Sequence, residues 1–262
     1  MRSFMPMADI DGVTLHYRWD GPEDAPVLLL SNSLGARVDM WLPQLGAFTR
    51  HFRVLRYDSR GHGQSAAPPG PYGMEQLTFD VVGLLDALEI ERTHFCGLSM
   101  GGMVGQVLAL RAPERLNRLA LCNTAALIGP PDLWDARVAA VAAGGTAVLA
   151  AVLDRWFTPA FRQQFPDRVA PFAKMLRETN PRGYIACCRA IQDHDLRSTV
   201  AAIAVPTLVI AGTHDVATPP SEGRFLASAI PGAAYVELSV AHLSNVEAAD
   251  AFTTAVLAFL NG

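Results

Sequence analysis

Phe95-Cys96-Gly97-Leu98-Ser99-Met100-Gly101-Gly102 sets an apolar run against a glycine-rich one, with one serine at the join. Phe95 to Leu98 reads as a strand covered on both faces, because a continuous apolar run leaves no polar face for water. A helix is expected to begin near Met100. The stretch fits G-x-S-x-G, and the pattern gains its meaning from a strand that runs straight into a helix with the serine at the tight turn. Gly97 and Gly101 remove side chains that would collide there, and Gly102 and Gly105 let the helix lie close to the sheet. The competing reading is a glycine-rich strand-to-helix turn with an incidental serine.

Working outward, the same texture repeats. Val13 to Arg18 alternates apolar with polar residues as a half-exposed strand does. Val27 to Leu30 and Leu119 to Cys122 are continuous apolar runs, and Glu75 to Glu89 carries a helical stripe at Leu77, Val81, Leu84, Leu85 and Leu88. Strands alternating with helices predict an α/β chain with a mostly parallel central sheet flanked by helices. From Pro130 to about Thr199 the strand texture stops. Helical patterns cover Leu133 to Asp154, Pro159 to Gln164, Pro171 to Glu178 and Pro181 to Gln192, with prolines at the breaks. Strands return at Pro206 to Gly212 and Ala234 to Leu238, and Glu247 to Leu260 closes as a helix. The expected organisation is a core of residues 1–124 and 200–262, with a helical cap, residues 125–199, inserted between sheet strands. Such a cap covers the carboxyl edge of the sheet, where open α/β sheets bind ligands.

A serine hydroxyl needs a base to take its proton and an acid to orient that base. Seven histidines are available. His16 lies in an early strand, His51 and His94 lie away from the carboxyl edge, and His194 has no strand before it. His62 sits in Asp58-Ser59-Arg60-Gly61-His62-Gly63-Gln64-Ser65, ahead of the serine. Of His214 and His242, only His242 follows the last strand, and it is the expected base. The acid is expected to end the preceding strand, which selects Asp215 over Asp193 and Asp195. The competing role for Asp215 is a turn or helix N-cap residue. Two N–H donors must face the developing oxyanion. Met100, directly after the serine, supplies one. The turn Ser31-Asn32-Ser33-Leu34-Gly35 after the Val27–Leu30 strand supplies the other, assigned to Leu34.

Composition narrows the classes further. Half of the 262 residues are hydrophobic and 18% are charged, which excludes a disordered or fibrous chain. The formal net charge of −4 and the absence of basic blocks argue against a nucleic-acid partner or a membrane anchor. Met1 to Gly12 holds Asp9 and Asp11 and no apolar segment of the export type, so a cytoplasmic location is expected. Val138 to Leu153 is too short and too rich in alanine to span a bilayer. Cys96, Cys122, Cys187 and Cys188 form no C-x-x-C pair, so no metal is expected.

At these residues the sequence resembles the α/β-hydrolase superfamily and, within it, the 3-oxoadipate enol-lactonases. The broad matches are Gly97 to Gly102, Asp58 to Ser65 and the placement of Asp215 and His242. The narrower ones are Ser31 to Gly35, Asp39-Met40-Trp41 and Ala241 to Glu247. The likeness spans nearly the whole chain and is weakest through the cap. Asn32-Ser33 departs from the His-Gly pair usual in that turn. The resemblance implies cofactor-free hydrolysis of 3-oxoadipate enol-lactone to 3-oxoadipate in bacterial catabolism of aromatic compounds. Ser99, His242 and Asp215 would act as a triad, with Leu34 and Met100 at the oxyanion. The partner is a small lactone or ester carrying a carboxylate; an oligomer is not readable. A buried carboxylate needs a cation or several hydrogen-bond donors. Trp134 and Arg137, on one face of the first cap helix, are the expected pair. Ser33 and Trp156 complete the candidate lining, with Arg155 and Arg189 as alternatives. Other readings are another carboxylesterase or lactonase, a cofactor-free perhydrolase or haloperoxidase, and, in a different class, a ligand receptor with little turnover.

Overall fold

The computed structural model describes residues 6–262; residues 1–5, part of the stretch read for an export signal, lie outside the described residues. Among the described residues, eight strands form one sheet: β1 (Met7–Ile10), β2 (Val13–Asp20), β3 (Val27–Ser31), β4 (Arg53–Tyr57), β5 (Thr93–Leu98), β6 (Leu116–Cys122), β7 (Thr207–Gly212) and β8 (Ala234–Leu238). Their order is β1-β2-β4-β3-β5-β6-β7-β8. β1, β2 and β4 pair antiparallel, and every pairing from β4 through β8 is parallel. Leu28, Leu29 and Leu30 of β3 are fully buried, as the unbroken apolar run requires.

Around the sheet lie α1 (Leu42–Phe48), α2 (Met74–Ala87), α3 (Met100–Arg111), α9 (Pro220–Ala229), α10 (Ser244–Glu247) and α11 (Ala249–Asn261). Between β6 and β7 run α4 (Pro131–Gly144), α5 (Leu153–Trp156), α6 (Pro159–Gln164), α7 (Pro166–Glu178) and α8 (Pro181–Gln192), with no strand among them. The buried side chains of these helices and of the sheet form one continuous apolar cluster.

Several expected boundaries shift. The helix expected over Leu133 to Asp154 ends at Gly144, because Gly145 takes φ +65°, and a 3₁₀ stretch, Thr146–Val152, follows. The helix expected from Pro171 starts instead at Pro166, with Pro171 in its interior. Pro171 is the sixth residue of this helix, so its ring removes one interior backbone bond and crowds the carbonyl of Asp167. The closing helix is split, α10 then α11, at Ala248.

The topology fixes where a ligand fits. From β3 the chain turns one way to β4, whereas β5 and β6 lie on its other side. The carboxyl ends of β3 and β5 are therefore the switch point of the sheet, where an open crevice forms. The turn after β3 and Ser99 after β5 both sit there.

Candidate active site

Ser99 occupies the joint between β5 and α3 with φ +58° and ψ −115°, a conformation that costs a non-glycine residue energy. The neighbours hold it there. Its N–H donates to the Cys122 carbonyl at 2.9 Å, and its carbonyl accepts from the Met103 N–H at 3.1 Å and the Thr124 hydroxyl at 2.8 Å. A Cβ at Gly97 would fall 2.2 Å from the Gly101 carbonyl oxygen, and one at Gly101 would fall 2.2 Å from that of Ser31. Neither backbone neighbour can retreat, so this elbow accepts only glycine on either side of the serine. Gly102 and Gly105 make the close approaches expected of them, against Thr124 and Phe95.

Asp215 follows β7 and His242 follows β8. Nδ1 of His242 lies 2.7 Å from Oδ2 of Asp215. The Thr218 hydroxyl and the Asn123 amide donate to the same oxygen at 2.7 and 3.0 Å. The N–H groups of Ala217 and Thr218 donate to Oδ1 at 2.8 and 3.0 Å. Burial raises the Asp215 pKa, but the His242 ring and these donors outweigh it and hold the carboxyl below its ordinary value. Asp215 is thus a carboxylate. Because it only accepts, Nδ1 carries the imidazole proton and Nε2 is the free base. The N-cap alternative fails, since α9 starts at Pro220 with Pro219 as its cap; the turn at 215–218 is retained within the same carboxylate.

The loop bearing His242 is tied down on both sides. Gly212 lacks a Cβ that would meet the Ala241 and Val240 carbonyls at 2.5 and 2.6 Å. Glu247 accepts from the Ala241 N–H at 3.1 Å and from Thr158 beside α6 at 3.2 Å. The Leu243 N–H donates to the Trp156 carbonyl at 3.0 Å. The His214 ring is exposed and lies 3.5 Å from the Ser239 hydroxyl, and Asp195 pairs with Arg197.

Between these groups lies a cavity of about 280 Å³ whose walls include Ser33, Leu34, Ser99, Trp134, Arg137, Arg155, Trp156 and His242. Of the residues expected from sequence, Asp215, Met100 and the alternative Arg189 are not on its wall. Asp215 stands behind His242, and Met100 heads α3. Leu34 is the second residue of a tight turn closed by the Ala36 N–H on the Ser33 carbonyl at 3.0 Å. Among the described residues, neither the Leu34 nor the Met100 N–H has a hydrogen-bond partner. Asn32 is held by both polar atoms of its side chain and by its carbonyl. Its amide donates to the Tyr57 carbonyl at 2.7 Å, its oxygen accepts from Trp41 at 2.8 Å, and its carbonyl accepts from Gly101 at 3.0 Å. It locks the turn to the elbow.

In the cap the Arg137 guanidinium lies 4.9 Å from the centre of the Trp134 ring, as a shared helix face requires. Trp134 donates to the Ile128 carbonyl at 2.8 Å, which fixes its ring. Burial, then the like charge of Arg137, pull the Arg155 pKa below its ordinary value. Arg189 is turned away and pairs with Asp135. Tyr184 and Glu222 also line the cavity and were not singled out by sequence; no motif marks them. Asn123 and Thr218 were likewise not foreseen, although each stands just past a strand end that was.

A family model described as alpha/beta hydrolase fold matches residues 26–249. The chain is 42% identical to 3-oxoadipate enol-lactonase 2 of Acinetobacter baylyi over 249 residues, 95% of this chain and 93% of the relative. It is 52% identical to the enol-lactonase of Burkholderia xenovorans, whose crystal structure matches with a TM-score of 0.97 over 98% of this chain and all of the other. A hydrolase from Pseudomonas aeruginosa matches at 49% identity and a TM-score of 0.97, over the whole of both chains. The chain is a hydrolase and belongs to the alpha/beta hydrolase fold family.

Proposed function

We propose that this protein hydrolyses 3-oxoadipate enol-lactone to 3-oxoadipate with Ser99 as nucleophile, His242 as base and Asp215 as its orienting acid. The observation that carries the chemistry is the 2.7 Å Asp215–His242 bond, at a cavity whose wall also bears Ser99 in its strained conformation. The substrate rests on the enol-lactonases among the relatives.

Nε2 of His242 takes the Ser99 proton as Oγ bonds to the lactone carbonyl carbon. The carbonyl oxygen takes up negative charge, stabilised by the Leu34 and Met100 N–H groups, which cost no reorganisation because the turn and the helix start already hold them. The ring C–O bond then breaks, and His242 returns the proton to the departing enol oxygen. The enol stays tethered and tautomerises to a ketone, which makes reclosure unfavourable. Water, losing its proton to His242, attacks the acyl-enzyme, and Ser99 leaves with that proton.

Residues 125–199 act as a lid over the core of 1–124 and 200–262, and supply the specificity. Arg137 pairs with the carboxylate of the lactone, and Trp134 and Trp156 cover its apolar ring. A panel of carboxylated and uncharged lactones, with products identified by mass, tests the reading. Preferred opening of the carboxylated enol-lactone to 3-oxoadipate supports it. Equal rates on uncharged lactones contradict the substrate, and oxidation that depends on added peroxide contradicts the reaction.

A further inference from the structure

We infer that His62 positions the oxyanion-binding turn by accepting a hydrogen bond from the Gly35 N–H, the residue directly after Leu34. The inference rests on the proposed role of the Leu34 N–H.

His62 precedes the serine in the chain and has no part in the proton transfers, yet it is 1% exposed, at the heart of the molecule. Its Nε2 lies 2.9 Å from the Gly35 nitrogen. A backbone N–H only donates, so Nε2 is the bare nitrogen of a neutral ring, and the proton sits on Nδ1. Nδ1 then faces its natural acceptor, the Arg60 carbonyl, at 3.3 Å. One tautomer satisfies both sides. Burial lowers the His62 pKa, against the Arg60 carbonyl and the Asp58 charge, so the neutral ring is the resident form.

The turn needs such an anchor. Leu34 and Gly35 are the two central residues of the Ser33–Ala36 turn, and Gly35 has φ +80°. The Leu34 N–H belongs to the Ser33–Leu34 peptide, which only the φ and ψ of Leu34 separate from the Leu34–Gly35 peptide, so a rotation of that second peptide would leave the donor free to turn away from Ser99. His62 clamps that peptide's nitrogen. The imidazole is itself held by a rigid loop: Asp58 accepts from the Gln64 N–H at 3.0 Å and the Val38 N–H at 2.8 Å. Helix α8 backs the loop from the other side, with Gly183 against Gly61 so closely that a Cβ on Gly183 would fall 2.3 Å from the Gly61 Cα. Cys187 of the same helix packs its sulfur 4.0 Å from Nδ1. His62 therefore links the seat of α8 to the aim of the oxyanion donor.

Three variants separate this role from simple packing. Gln reaches the Nε2 position with an oxygen acceptor, Asn reaches only Nδ1, and Leu fills the space without polarity. A misaimed donor costs less than a deleted one, so His62→Leu and His62→Asn are expected to lower kcat about 10- to 100-fold with KM within about threefold. His62→Gln is expected to recover most of that loss. Each is measured on p-nitrophenyl acetate and on the enol-lactone, with the inhibition constant of an alkyl boronic acid, which forms a tetrahedral adduct on an activated serine. The boronate should weaken in step with kcat. Equal kcat in the Asn and Gln variants, or an unchanged boronate constant in His62→Leu, overturns the inference. If wild-type protein does not bind the boronate at all, the oxyanion reading itself fails. Should His62→Leu not fold, the Asn and Gln pair decides.

Discussion

Ser99 stores strain where a nucleophile is useful, and the cost of that strain is measurable. A non-glycine residue at φ +58°, ψ −115° costs on the order of 1–3 kcal/mol. Ser99→Gly is therefore expected to be at least as stable to urea as Ser99→Ala, despite glycine's larger entropy in the unfolded chain. A lower midpoint for the glycine variant would mean that the elbow is relaxed. Behind it, Asp215→Asn places an amide where His242, Asn123 and Thr218 all donate. The imidazole then loses its orienting acceptor, and kcat is expected to fall on the order of 10³- to 10⁴-fold with substrate still bound. In the cap, Arg137→Met removes one charge-assisted contact, worth about 1.5–3 kcal/mol. KM for carboxylated lactones is expected to rise about 10- to 100-fold, with little change for uncharged esters. An equal rise on both kinds of substrate would make Arg137 structural.

Among the elements, the elbow and the βα alternation were legible because each rests on local rules. The run Phe95 to Leu98, the glycines around Ser99 and the stripe on α2 all speak within a single turn or strand. β1 was not foreseen, although Asp11-Gly12, with φ +49° and +81°, is a hairpin signal between it and β2. The acidic residues of that stretch read as charge rather than as a turn. The cap segmentation was only partly legible. A proline can end a helix, open one as Pro166 does, or stand inside one as Pro171 does, and local sequence does not separate the three. That Ser99, Asp215 and His242 follow strand ends was readable. Asn123 was not, because β6 and β7 bring it to Asp215 from 92 residues away, and Thr218, three residues after Asp215, carries no motif that marks it. Gly101→Ala tests the elbow as an element. Its Cβ meets backbone, not a pliable side chain, so a loss of about 1–3 kcal/mol or more in urea unfolding is expected, together with lost turnover. Unchanged stability would show that the helix start can shift.

At the scale of the whole molecule, buried His62 and His194 and half-buried His94 sit with lowered pKa values, each chiefly through desolvation, that of His194 brought down to about 4. In the unfolded chain such rings take up protons below about pH 6.5, whereas the folded protein resists until lower pH. The stability they confer is complete above about pH 6.5 and is lost as pH falls from there toward 4. Unfolding midpoints are expected to drop across that window, and His194→Gln, which replaces an Nε2 without a partner among the described residues, should flatten the slope. A slope identical in wild type and variant would contradict the assignment.

The fold, the cavity and the cap converge on one serine. The decisive measurement is kcat/KM for 3-oxoadipate enol-lactone, with product mass recorded, in wild-type protein and in a Ser99→Ala variant shown to be folded. Wild-type protein is expected to yield 3-oxoadipate, and the variant to lose activity on the order of 10⁴-fold or more. Near-normal hydrolysis by folded Ser99→Ala would contradict it.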